Sequence, residues 1–176
     1  MRKYLNPLIL LLFFLPATFI YSFDFDSYKP RKLSNLIKDI RWIVQSSEEK
    51  TKKPVKIMSL NNTKYKIIIR LEDMPKKIGI KYKKFAEEIS NSLFKMENLF
   101  TYQLVQKYDD INVVFLVQNS LMEYLPKEAK VGELIEFYVI FYEYRDQGKG
   151  KELFVLLNEF NTRSEKFDEN ILPDIE

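Results

Sequence analysis

Two segments in the C-terminal half, Leu134 to Tyr144 and Leu153 to Phe160, carry large apolar side chains on both faces of a strand. In the first, Tyr138, Ile140 and Tyr142 alternate with Phe137, Val139 and Phe141. Successive side chains of a strand point to opposite faces. A strand with one wet face therefore alternates apolar with polar residues, and this one does not. Both of its faces must be covered, in a closed barrel packed against a helix or in a sheet with a layer on each side. RDQGKG at 145–150 reads as the hairpin loop joining the two segments.

Two amphipathic helices are available as cover. Leu33, Leu36, Ile37, Ile40, Ile43 and Val44 recur at helical spacing between Lys32 and Ser46. The spacing over 81–97 is clearer: Tyr82, Phe85, Ala86, Ile89, Leu93 and Met96 form one stripe, opposite Lys83, Lys84, Glu87 and Glu88. After the first helix, SSEEKTKKP at 46–54 reads as a polar linker.

Further strands complete the set. Val55 to Leu60 and Lys64 to Leu71 flank Asn61-Asn62-Thr63, and asparagine tolerates the positive φ of tight turns, which predicts a hairpin over 55–72. Tyr65, Ile67, Ile69 and Leu71 share one face of its second strand. A second hairpin, Thr101 to Gln118, turns at Asp109-Asp110, and Leu121 to Ala129 forms a short helical segment limited by Pro126. The predicted fold class is α+β: antiparallel β-hairpins form a sheet or a partly open barrel, packed with the two amphipathic helices. A short helix between antiparallel hairpins resembles the architecture of OB-type barrels. The expected organisation is an N-terminal helix and polar linker at 23–54, an α+β domain at 55–162, and a polar tail at 163–176.

Residues 1–22 stand apart. Arg2 and Lys3 precede an apolar run, Leu8 to Ile20, which Pro16 interrupts and the acidic stretch SFDFDS follows. This is the layout of a secretory signal peptide cut after Ser22, and it predicts an exported chain that starts at Phe23. The run is shorter than the roughly 20 residues a membrane span needs. An exported chain without cysteine has no disulfides and must hold itself by packing. That suits a bacterial periplasm or outer surface.

Composition then removes most chemistries. With no His and no Cys, imidazole and thiolate metal or haem sites are excluded, as are Ser-His-Asp triads and Cys-His dyads. Loss of residues 1–22 takes two cations and no anion, leaving 26 Lys+Arg against 25 Asp+Glu. Such a balance lacks the concentrated positive footprint of nucleic-acid binding. No calcium loop and no glycine-rich phosphate loop is present in the sequence.

The remaining candidates are carboxylates and aromatics. Glu133, Glu136, Glu143 and Glu159 are the acids that paired-carboxylate glycoside hydrolysis would draw on. Asn158 and Glu159 form a candidate polar cluster because they interrupt an apolar strand, and buried polar groups need partners. The favoured reading ends the strand there and bonds both to loop backbone. Trp42, the only tryptophan, lies about 160° from the centre of its helix stripe. Cover by a neighbouring segment is favoured for it; otherwise it is a partner contact.

These features predict a small exported protein of the bacterial cell envelope. It is expected to be a non-catalytic binding or structural module that contacts an envelope protein or cell-wall component. No cofactor, metal or nucleic acid is expected, and membrane contact is confined to residues 1–22. The alternatives are a carboxylate-dependent hydrolase of envelope polysaccharide and a module tethered by an uncut N-terminal segment.

Overall fold

A computed structural model describes residues 23–146, 150–162 and 171–173; the expected signal peptide lies outside the described residues, as does most of the expected tail. In chain order the elements are β1 (Lys29–Pro30), α1 (Leu33–Thr51), β2 (Ile57–Arg70), β3 (Lys76–Lys77), α2 (Ile80–Phe94), β4 (Phe100–Tyr108), β5 (Ile111–Gln118), α3 (Leu125–Glu128), β6 (Leu134–Asp146) and β7 (Lys151–Asn161). Short 3-10 turns occupy Phe25–Ser27 and Asn119–Glu123. The strands form one seven-stranded sheet in the order β1-β2-β6-β7-β5-β4-β3. It is an open α+β sheet with β1 and β3 at its edges, not a barrel.

The two-sided strands sit at its centre. β7 pairs antiparallel with β6 and parallel with β5, so both flanks of its backbone are satisfied. On one face Ile67, Ile69, Val113, Phe115, Phe137, Val139, Val155 and Leu157 meet Leu33, Leu36, Ile37, Ile40 and Val44 of α1, with Leu121 and Leu125 beside them. On the other, Val114, Leu116, Ile140, Phe154 and Leu156 meet Tyr82, Phe85, Ala86 and Ile89 of α2. Aromatic pairs set the spacing in each layer: Phe115 and Phe137 stand edge to face at 5.6 Å, and Phe85 and Phe154 at 4.5 Å.

Four expectations change. Residues 55–72 form no hairpin: β2 is one strand that pairs with β6 from Ile57↔Arg145 to Arg70↔Leu134. Asn61 and Asn62 do adopt left-handed backbone, at φ 54° and 51°, but within a bulge. Ser59 pairs with Glu143 and Thr63 with Phe141, so residues 60–62 bow out opposite Tyr142. A β6 long enough to partner both arms outcompetes a local turn, because reversal would leave its edge donors and acceptors unpaired. The polar linker also begins later. α1 continues through Ser46 to Thr51 and stops where Lys52 takes φ 56° and donates its N–H to the Glu48 carbonyl. The Glu48 side chain accepts the Val55 N–H at 2.9 Å, fixing the exit. Nor does the α2 stripe run to Met96: the helix ends at Phe94, and Leu93 and Met96 are exposed. Finally, Arg145 and Asp146 belong to β6, not to a loop. The hairpin at Asp109, φ 52°, stands where expected.

Tyrosines are woven through both layers. Burial is the main cause that raises the hydroxyls of Tyr28, Tyr82, Tyr108, Tyr138, Tyr142 and Tyr144 above the usual tyrosine value, Tyr144 to about 12. Each holds its proton more tightly folded than unfolded. Their contribution is therefore intact below about pH 10, the unfolded value, and is lost as pH rises from there through the folded values. Melting temperature followed by circular dichroism should fall steeply above that pH, and Tyr144→Phe should make the fall shallower. A variant with the same alkaline profile as the wild type would contradict the burial of Tyr144.

Candidate functional site

A sheet covered on both faces leaves little room for a site, and polar groups enter this one where strand alternation breaks. Between β6 and β7, Phe141 pairs with Val155 and Glu143 with Phe154, leaving Tyr142 as an extra residue. Val139 pairs with Leu157 and Tyr138 with Glu159, leaving Asn158 extra on the other strand. A bulge shifts the two-residue period by one, so consecutive side chains share a face. Tyr142 with Glu143, and Asn158 with Glu159, are the pairs so displaced, all towards the α2 side.

The first bulge builds one wall of an open groove of about 600 Å³. Tyr142, Glu143 and Arg145 line it from β6, and Phe85, Glu88, Asn91 and Ser92 from α2. The Arg145 guanidinium lies 4.0 Å from the centre of the Phe85 ring and 4.9 Å from that of Phe154. Its Nε donates to the Glu143 carboxylate. The ring contacts and this ion pair together restrict the guanidinium. Burial first, then the charge of Glu143, holds the Tyr142 hydroxyl above its usual value, and the charge of Glu88 adds to it. Tyr142 thus stays protonated at neutral pH.

The second bulge is half-buried. Asn158 Nδ2 donates to the Tyr28 hydroxyl at 2.9 Å, and its Oδ1 accepts from Gln118 Nε2 at 2.9 Å. Glu159 accepts the Phe160 N–H at 3.0 Å. Beside them Glu136, 5% exposed, accepts from the Tyr138 hydroxyl and faces Lys66 Nζ at 3.5 Å. The rings of Phe23, Phe25 and Tyr28 close over Tyr138 at 5.8, 4.8 and 5.5 Å. The strand does not end at Asn158, because β7 runs on to Asn161. Asn158 bonds side chains and only Glu159 bonds backbone; neither lines the groove.

A second buried acid, Glu152, accepts from Lys81 and from the Tyr82 hydroxyl at 2.6 Å, which ties the first turn of α2 to β7. On the far side of α2, a groove of about 670 Å³ lies among Phe100, Tyr102, Met122 and Asn119. Asn119 there is already engaged, by Thr101 and by the Asn98 carbonyl at 2.7 Å.

Trp42 is 69% exposed on the outer side of α1. The expected covering segment is not found among the described residues. Its neighbour Arg41 instead reaches Asp110 at 2.6 Å and Asp109 at 3.1 Å, pinning α1 to the β4–β5 turn. Of the groove residues only Glu143 was a candidate in sequence, because Arg145 read as loop and Phe85 as plain core. The visible signal was the phase break at Tyr142-Glu143, where apolar and polar positions exchange faces.

Among the described residues no group of carboxylates converges to hold a metal ion, and no helix is long and apolar enough to cross a membrane. The chain matches no protein-family model, no curated protein and no solved structure.

As the only tryptophan, Trp42 reports its own environment. Its fluorescence should match that of free indole in water and be fully quenched by iodide. Trp42→Ala should change stability by no more than about 0.5 kcal/mol in urea, whereas a buried tryptophan would cost about 3–5 kcal/mol. Shielded emission with a loss of that size would place the residue under cover.

Proposed function

We propose that this chain is an exported, non-catalytic binding module of a bacterial cell envelope, and that the groove between α2 and β6 holds its ligand. The observation that carries this reading is Arg145: a guanidinium placed over the Phe85 ring and paired with Glu143 at the wall of an open groove. Preorganised polar groups beside apolar surface are the usual make-up of a ligand site. The layout of residues 1–22 supports export, with the periplasm or outer surface as location and an envelope protein or cell-wall component as partner.

Hydrolysis of envelope polysaccharide is the weaker reading. Glu88 and Glu143 both line the groove, as a two-carboxylate mechanism would require. Glu143 is committed to Arg145, however, and Glu88 sits on an exposed helix face with Lys84 Nζ at 3.8 Å. Neither stands alone in an apolar pocket, the environment that prepares a general acid.

Expression of the full chain in a bacterial host, followed by extraction of the envelope and N-terminal sequencing, should give a start at Phe23. The extracted protein should be retained on isolated cell-wall material. Arg145→Gln and Glu88→Gln should each reduce retention about tenfold, a loss of about 1.4 kcal/mol. Glu88→Gln should also leave the melting temperature unchanged. An intact Met1 would favour the tethered alternative. Equal retention by both variants would remove the groove from binding. Soluble sugar fragments released by the wild type but not by Glu143→Gln would establish the hydrolase.

A further inference from the structure

We infer that the groove recognises an amino-acid-like zwitterion, with its carboxylate on Arg145 and its ammonium beside Glu88. The inference rests on the groove being the binding site and adds the class of ligand.

Arg145 has one edge in use and, among the described residues, one to spare. Nε is bonded to Glu143, and no hydrogen bond from the two outer nitrogens to the described residues is found. The guanidinium carbon lies 4.0 and 4.9 Å from the centres of the Phe85 and Phe154 rings, and these contacts with the Glu143 pair restrict its movement. An oriented fork with its end open accepts a carboxylate through two parallel hydrogen bonds.

The charges around it decide what else the ligand carries. Glu88 and Glu143 set two carboxylates against one guanidinium in the groove. Phosphate or a polyanion meets repulsion there, whereas a neutral sugar offers hydroxyl acceptors to the Arg145 fork but no charge to match it. A ligand with one carboxylate and one ammonium satisfies both signs. Glu88 suits the ammonium, since its pair with Lys84 spans 3.8 Å between two exposed side chains and is loose enough to exchange. Glu88 lines the same groove as Tyr142 and Arg145. Tyr142 supplies a half-buried ring for a small side chain, and Asn91 and Ser92 supply amide and hydroxyl groups at the rim.

The test is a titration of the isotope-labelled protein in its exported form, read by amide shifts in NMR. Four probes are used: alanine, alanyl-alanine, N-acetylalanine and alanine amide. Alanine or alanyl-alanine should shift Glu88 and residues 142–145 saturably, and which of them binds tighter tells a free amino acid from a peptide end. N-acetylalanine and alanine amide should each bind about tenfold weaker or less. Glu88→Gln should reduce binding of the zwitterion by a similar factor and leave that of N-acetylalanine unchanged. Equal binding of the capped probes, or no shift in the groove with any probe, would overturn the inference. Cell-wall retention that depends on Arg145 without any response to these probes would sink the zwitterion and leave the binding module standing. A probe response without retention would do the reverse.

Discussion

Everything in this molecule follows from strands that tolerate water on neither face. Phe115, Phe137 and Phe154 are fully buried, and β5, β6 and β7 bury side chains on both sides along most of their length. Each uncovered face would forfeit about 25 cal/mol for every Å² left in water. α1 with the 119–128 segment covers one face; α2 covers the other. The residues just after the expected signal peptide finish the job, since Phe23, Phe25 and Tyr28 close the end of the sheet that α2 does not cover. Without cysteine to staple the chain, this two-sided packing has to carry the stability of the fold.

The same constraint explains where polar chemistry enters. Regular alternation would fill the α2 face with apolar side chains from end to end. The bulges at Tyr142 and Asn158 interrupt it and deliver acids and amides to that face. One set is closed over by aromatic rings and satisfied internally. The other opens between α2 and β6, where Arg145 lies over Phe85 and pairs with Glu143. This groove is therefore framed by a sheet strand on one side and a packed helix on the other.

Much of the fold was legible in the chain. Two-sided strands called for a closed barrel or a sheet covered on both faces, and the stripes Leu33–Val44 and Tyr82–Met96 identified the covering helices, the second of them two residues too long. Asn61-Asn62 correctly announced left-handed backbone, but nothing local distinguishes a bulge from a turn. That choice depends on β6, some 80 residues later, offering a partner for both arms. The open sheet and the parallel β5–β7 contact are likewise long-range outcomes. For the site, Asn158 and Glu159 were visible as interruptions of an apolar strand, and the structure makes them part of a satisfied cluster. Trp42 was marked as lying off its stripe, and it does, in solvent. Arg145 escaped notice because its role depends on Phe85 and Phe154, which no sequence spacing places beneath it.

The most direct test of the account is a pair of core truncations, one for each face: Phe137→Ala under α1 and Phe154→Ala under α2. Equilibrium denaturation in urea should show each variant losing about 3–5 kcal/mol in a single cooperative transition with an unchanged slope. Near-normal stability for Phe154→Ala, or a separate transition for the α2 layer, would mean that the fold does not depend on covering both faces.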